Sequence, residues 1–260
     1  MKSTIMKLLA GASLLSVSAL GAIPASASTT LTNGNFAGPA TVPYETLFAS
    51  GHGANSTAIP GWTVTSGSVD WINGYWSVPA SWPAGSLSID MNGNGPGAIQ
   101  SAPFTTVPGA KYVVQFMMSG NSDKGCPAAT PTTKSLTVSA TNGTTQPFST
   151  TDHVYPAYMG IAWTSQSTWA VETYTFTAGS STQLTFTADT SNTSPCGPVI
   201  ADVSVKELLA SSGAQCKDFG WQTYSNPGTD VPFMNQGQCV SYFATNHDVP
   251  IGSLNSSGLS

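Results

Sequence analysis

Arginine is absent from this 260-residue sequence, and its seven basic residues are all lysines, set against twelve acids. Nucleic-acid affinity rests on cationic side chains that displace counterions from phosphates, and anionic membrane surfaces attract the same kind of segment. A chain this poor in cations excludes both partners. Long apolar runs are missing too. Beyond Ile23 no stretch approaches the ~20 apolar residues that cross a bilayer, which excludes membrane insertion. Cysteine is scarce, with four residues and no Cys-x-x-Cys pair, while His52, His153 and His247 stand far outside ligand spacing, so no zinc site is read. No 3.6-residue apolar period runs long enough for a core helix, and no Gly-x-Ser-x-Gly elbow marks a serine hydrolase. Charge of either sign makes up only 7% of residues. The surface must therefore be built from Ser, Thr, Asn and Gly, which suits an exported β protein.

What is present begins with an export signal. Met1, Lys2 and Lys7 precede an apolar run from Leu8 to Ile23, and Ala25-Ser26-Ala27 follows. This is the charged, apolar and small-residue order of a secretory signal peptide, with cleavage expected after Ala27. The expected location is secreted, extracellular or periplasmic, where Cys126, Cys196, Cys216 and Cys239 oxidise. Four cysteines permit three pairings. Cys126 with Cys196 and Cys216 with Cys239 is preferred, because the second pair then closes within the last part of the chain without crossing between modules. Each bridge contributes roughly 3 to 4 kcal/mol by the chain-entropy model.

Several segments alternate with period two between Gly, Pro, Asn or Ser boundaries, the signature of strands. Tyr112, Val114, Phe116 and Met118 share one face of the segment from Lys111, with Pro108-Gly109 as the turn before it. Trp62 with Val64, Val69 with Trp71, and Leu87 with Ile89 and Met91 give earlier strands, and Val199, Ala201, Val203 and Val205 a last one. The runs holding Tyr174 and Phe176, and Leu184, Phe186 and Ala188, are separated by Gly179-Ser180-Ser181 and predict an antiparallel hairpin. Such short strands indicate an all-β fold of two packed antiparallel sheets, a jelly-roll sandwich. A helical turn is expected only around Lys206 to Ala210. The organisation expected is a signal peptide over 1–27, a sandwich over 28–206, a linker over 207–215, a small disulfide-closed module over 216–245 and a flexible tail over 246–260.

Landmarks in order are Asn33-Gly34-Asn35-Phe36, Ile59-Pro60-Gly61-Trp62-Thr63-Val64, Gly67-Ser68-Val69-Asp70-Trp71-Ile72 and Ser88-Ile89-Asp90-Met91-Asn92-Gly93. Val107-Pro108-Gly109, Ser119-Gly120-Asn121 and Gly197-Pro198-Val199-Ile200-Ala201-Asp202-Val203-Ser204-Val205 follow. Together they resemble the bacterial choice-of-anchor C type of secreted domain, which is similar to the plant cell-wall family called domain of unknown function 642, over about residues 31 to 206. The resemblance implies a galactose-binding-like jelly roll associated with cell-wall polysaccharide. In that bacterial type a surface-sorting signal usually follows; no such hydrophobic and basic tail is present here, and no anchoring is carried over. Ala37 stands where a glutamate commonly follows the Asn-Gly-Asn-Phe start, so a structural calcium is not carried over and no cofactor is expected. The segments Cys216 to Trp221 and Phe233 to Tyr242 resemble a short C-terminal element of secreted bacterial proteins. A stapled cap is one reading of it, and a docking patch built on Trp221, Tyr224 and Tyr242 is the other.

The chemistry concentrates between Trp62 and Trp82. Sugar rings stack their C–H faces on aromatic planes while their hydroxyls need carboxylate and amide partners. Trp62 and Trp71 fall in strand patterns and belong to the core. Asp70, Asn73, Tyr75, Trp76 and Trp82 form the candidate carbohydrate-binding set, the last four on a Gly- and Pro-containing loop. Trp163 and Trp169, near Tyr155 and Tyr158, offer a second aromatic loop. The acids Asp70, Asp90, Asp152, Glu172, Asp189 and Asp202 include no pair whose spacing argues for glycosidase chemistry, and no catalytic residue is assigned. The expectation is a non-catalytic module that binds a polysaccharide or cell-wall glycan. A structural matrix protein, and a wall-polysaccharide hydrolase or esterase, are the alternatives.

Overall fold

The computed structural model describes residues 31–39, 44–51, 55–72, 86–121, 126, 131–151 and 169–245. The signal peptide expected over 1–27 and the tail expected over 246–260 lie outside the described residues. In chain order the strands are β1 (Tyr44–Phe48), β2 (Trp62–Ser66), β3 (Ser68–Ile72), β4 (Ser88–Asp90), β5 (Ala98–Ser101), β6 (Phe104–Thr105), β7 (Lys111–Gly120), β8 (Thr133–Ala140), β9 (Gln146–Thr151), β10 (Ala170–Thr177), β11 (Ser181–Thr182), β12 (Leu184–Ala188) and β13 (Pro198–Glu207).

Two antiparallel sheets face each other, one of six strands in the order β1-β3-β4-β13-β7-β10 and one of five in the order β2-β5-β12-β8-β9. The fold is the expected all-β jelly-roll sandwich. Its core is filled by the alternate residues of both sheets. Trp71, Ile89, Tyr112, Phe116 and Ile200 from the larger meet Trp62, Ile99, Val138 and Phe186 from the smaller. Phe116 sits edge-on to Phe186 and to Phe148, at centroid distances of 5.2 and 5.1 Å. The two core tryptophans keep their indole N–H groups satisfied on one N-terminal turn: Trp62 Nε1 donates to the Asn33 carbonyl at 3.0 Å and Trp71 Nε1 to the Phe36 carbonyl at 2.9 Å. That turn lies so close to β13 that a Cβ on Gly34 would fall 1.8 Å from the Val203 carbonyl oxygen, which accounts for the glycine.

Three expectations are corrected. The runs around Tyr174 and Leu184 do not form a hairpin: β10 pairs with β7 in the larger sheet, and β12 lies between β5 and β8 in the smaller. Both runs turn bulky rows inward, and the sandwich buries such rows by setting them on opposite walls. The connection between them crosses the core edge, with β11 pairing β6 on the way. Along β13 the alternation of Val199, Ala201, Val203 and Val205 does not hold one face. The register shifts between Ala201 and Ser204, Asp202 takes a positive φ of 47°, and parity switches there, so Ile200 and Val203 enter the core while Val199 packs on the opposite face. Lys206 to Ala210 is not helical: Lys206 and Glu207 end β13, and Leu209 bridges Ser225.

The α-helix of the described residues is α1 (Gln236–Ala244), preceded by short 3-10 turns at Gly213–Cys216 and Gly220–Gln222 and capped by Asn235, whose side chain accepts from the Gln238 N–H, while the Gln238 side chain accepts from the Met234 N–H. Its buried Cys239 and Phe243 pack with Ala210, Cys216 and Phe233 into a small second core, against which Trp221, Tyr224 and Tyr242 lie half-buried. Both preferred disulfides form, Cys126–Cys196 and Cys216–Cys239. Replacing Phe186 by Ala, which removes a ring from the centre of the sandwich, is expected to cost about 3 to 5 kcal/mol in urea unfolding. Val171→Ala, at a side chain 60% exposed, should stay within about 0.5 kcal/mol of the parent.

Candidate functional site

On β3, Val69 and Trp71 point into the core, so Asp70 and Ile72 stand on the outer face of the six-stranded sheet. Register extends that face across the sheet in two rows. One runs Thr46, Asp70, Asp90, Val199 and Ser119 over β1, β3, β4, β13 and β7. The next runs Tyr44, Ile72, Ser88, Ala201, Met117 and Val171, reaching β10. Side chains on one face repeat every second residue, so the rows lie roughly 6.6 Å apart, with neighbours in a row ~4.8 Å apart. The first row is mostly polar and the second mostly apolar. Tyr44 and Val171 at the two margins are 50% and 60% exposed, whereas Ser88, Asp90 and Ala201 in the middle are fully buried. Trp169 packs against Ile72 and Val199 on this same face.

The two carboxylates of the polar row differ sharply. Asp70 is half-buried and accepts from the Thr46 hydroxyl at 2.6 Å; burial raises its pKa, and the Thr46 hydrogen bond opposes that rise. Asp90 has no solvent exposure. Its Oδ1 accepts from the N–H groups of Asn92 at 2.8 Å and Gly197 at 3.0 Å, and its Oδ2 from the Asn121 side-chain amide. Burial pushes its pKa up to about 8, with the Asn92 and Asn121 hydrogen bonds pulling the other way. Beside it, the Ser88 hydroxyl is buried with no hydrogen-bond partner among the described residues.

Asp90 also begins a buried polar frame beneath the loop that runs from Asp189 to Gly197. Asn92 Nδ2 donates to the carbonyls of Asn192 and Ser194 at 2.8 and 2.9 Å. Lys134 Nζ and Asn192 Nδ2 both donate to the Cys196 carbonyl at 2.9 Å. Lys134 is fully buried because it points inward with Leu136 and Val138 on β8. A Cβ on Gly197 would fall 2.6 Å from Asn92 Oδ1 and 2.7 Å from Asp90 Oδ1, so only glycine lets the chain close over this frame.

Of the expected carbohydrate-binding set, Asp70 is on the outer face as described. Asn73, Tyr75, Trp76 and Trp82 lie outside the described residues, as do Tyr155, Tyr158, Trp163, Asp152 and the three histidines. Residues that sequence reasoning passed over on this face are Tyr44, Thr46, Ser88, Met117 and Val171. Strand parity was the available signal, since Asp70 and Asp90 both fall out of phase with core neighbours. Among the described residues no three His, Cys, Asp or Glu side chains come together to hold a metal ion, and no described helix is long and apolar enough to cross a membrane.

The fold and its two linked sheets define an all-β jelly-roll domain with a small disulfide-closed appendage. Residues 29–206 match the family described as Protein of unknown function (DUF642), and the chain belongs to that family. It is similar to Halomucin of Haloquadratum walsbyi (strain DSM 16790 / HBSQ001), 33% identical over 156 residues that make up 59% of this chain and 1% of that protein. The chain thus spans about a hundredth of the length of that curated relative. Among solved structures it is similar to an arabinose-bound α-L-arabinofuranosidase, at TM-score 0.39 and 12% identity over 71% of this chain and 27% of the other. It is also similar to a family 35 carbohydrate-binding module of Paenibacillus barcinonensis, at TM-score 0.31 and 18% identity over 56% of this chain and 93% of the other.

Because Asp90 takes up its proton more readily folded than unfolded, it favours the folded state at and below about pH 4, and that contribution is lost as pH rises toward its folded value of about 8. The raised Asp70, Asp202 and Glu207 act in the same direction. Urea midpoints are therefore expected to fall from about pH 5, roughly one unit above the unfolded carboxylate value, to about pH 8, the folded value of Asp90. Asp90→Asn, which keeps the acceptors for Asn92 and Gly197, should make that fall shallower, while Asp90→Ala should lose about 1 to 3 kcal/mol at every pH.

Proposed function

We propose that this protein is an extracellular, non-catalytic module that binds a polysaccharide or cell-wall glycan on the outer face of the six-stranded sheet. The observation that carries the reading is the β1–β3 margin of that face, where Tyr44 is 50% exposed beside the half-buried Thr46 and Asp70, the acid of the polar row that is not shut away. A pyranose has hydroxyls at its edge and C–H groups on its faces, so one ring can use the Tyr44 plane and the Asp70 carboxylate at this margin. Asn73, Tyr75, Trp76 and Trp82 follow β3 directly and belong to the proposed site as its aromatic and amide contribution. The two disulfides and the leader-like first 27 residues support an oxidising, extracellular setting.

Binding is preferred over hydrolysis because of how the two neighbouring carboxylates are used. A glycosidase needs both groups open to the scissile bond, one of them to exchange a proton with it. Asp90, opposite Asp70 in the register, is shut away from solvent and committed to Asn92, Asn121 and Gly197. The chain without residues 1–27 should be retained on at least one class of insoluble glycan without release of product. Asp70→Ala, and separately the double variant Tyr75→Ala/Trp76→Ala, should lose most of that retention while keeping the parent thermal midpoint. Release of reducing sugar by the parent, abolished in Asp70→Ala, would replace this reading with a hydrolase.

A further inference from the structure

The sequence holds five Asn-Gly pairs: Asn33-Gly34, Asn73-Gly74, Asn92-Gly93, Asn94-Gly95 and Asn142-Gly143. Asparagine is a labile residue, and most so before glycine, where no Cβ hinders the next backbone nitrogen from reaching the side-chain carbonyl carbon. Asn73-Gly74 lies outside the described residues. The fold treats the other four differently.

Three of them are held by named bonds. Asn33 Nδ2 donates to the carbonyls of Ala37 at 3.0 Å and Pro60 at 2.9 Å, which fixes its amide. Asn92 is fully buried, its Nδ2 donates to the Asn192 and Ser194 carbonyls, and the Gly93 N–H that would attack it donates to the Ser68 carbonyl at 3.0 Å. Asn142 is exposed at a positive φ of 65°, but the Gly143 N–H is tied to the Ala140 carbonyl at 2.8 Å. Ring closure at any of the three must first open part of the structure.

Asn94-Gly95, two residues beyond the sealed Asn92, is arranged otherwise. Asn94 is exposed, and neither its side-chain amide nor the Gly95 N–H has a hydrogen-bond partner among the described residues. A Cβ on Gly95 would meet nothing within 4 Å, so there is room for a five-membered ring. The turn is fixed from behind, by the Asn94 N–H donating to Ser68 Oγ at 2.8 Å and the Gly97 N–H to the Met91 carbonyl at 2.8 Å. The reacting groups alone are left free.

We propose that Asn94 is a self-modifying site, where the folded chain converts asparagine to aspartate and isoaspartate. Hydroxide takes the Gly95 N–H proton, the nitrogen bonds to Asn94 Cγ, and the Cγ–Nδ2 bond breaks with release of ammonia. Water then opens the succinimide, at Cγ to give aspartate or at the main-chain carbonyl to give isoaspartate. Either product carries a carboxylate that the amide lacked, and isoaspartate lengthens the main chain of the turn by one carbon. Gly93 of the same turn lies against β1, where a Cβ on it would fall 3.0 Å from Thr46 Cγ2, so the new charge is placed near the Thr46–Asp70 pair.

The test is a time course of the folded chain without residues 1–27 in mildly alkaline buffer, read by peptide mapping under acid with detection of isoaspartate. Each conversion adds about 1 Da, as NH2 becomes OH. Conversion at Asn94 is expected to be at least about tenfold faster than at Asn33, Asn92 or Asn142. In denaturing urea the four should convert at similar rates. Gly95→Ala, at a position with room for the methyl, should keep the parent thermal midpoint and slow conversion of Asn94 about tenfold or more. Asn94 staying an amide in the folded chain, over a time that converts the same pairs in urea, overturns the proposal. Conversion of Asn33, Asn92 or Asn142 in the folded chain as fast as Asn94 overturns it as well.

Discussion

The Asp90 carboxylate accepts hydrogen bonds from three segments that are distant in sequence: the turn after β4, the end of β7 and the start of β13. A buried charge or its protonated equivalent is costly unless its oxygens are taken up, and here they are. The same frame continues through Asn92, Asn192 and Lys134 to the Cys196 carbonyl, and the Cys126–Cys196 disulfide closes over it. One end of the sandwich is thus set by polar pairing instead of by side-chain volume. The two rows of the outer face inherit their geometry from this, because Asp90 lies in the centre of the polar row and Gly197 leads into β13 beside it.

Much of the architecture was legible in the sequence because period two is a strong local signal. Tyr112, Val114, Phe116 and Met118 face the core as their spacing requires, and so do Trp62 and Trp71. Period two says which residues share a face but not which sheet a strand joins, and that is why β10 and β12, separated by a short polar loop, resembled a hairpin. It also fails at a bulge, where Asp202 shifts β13 by one residue. Helix α1 escaped notice because it is short and carries few apolar residues; its one local sign was Asn235 with Gln238 three residues on.

On the outer face, the placement of one residue was legible. Asp70 stood out because an acid among aromatics in a strand pattern must face away from the core. Nothing local in Asp90 or Lys134 announces burial, since charged residues are ordinarily read as surface. Their partners, Gly197 and Cys196, lie 107 and 62 positions away. Such pairings become visible only when the register of the strands is known.

The order of strands has a further consequence for the life of the chain. Strand β13, the last of the sandwich to be made, sits inside the larger sheet between β4 and β7, and β12 sits inside the smaller between β5 and β8. Neither sheet can close until residues near position 207 have emerged, so the earlier strands must wait with their pairing edges open. Folding dominated by such distant contacts is slow. Until then the open edges of β4 and β7, and of β5 and β8, are where a second copy of the chain can pair, so the unfinished sandwich is more prone to aggregate than the finished one.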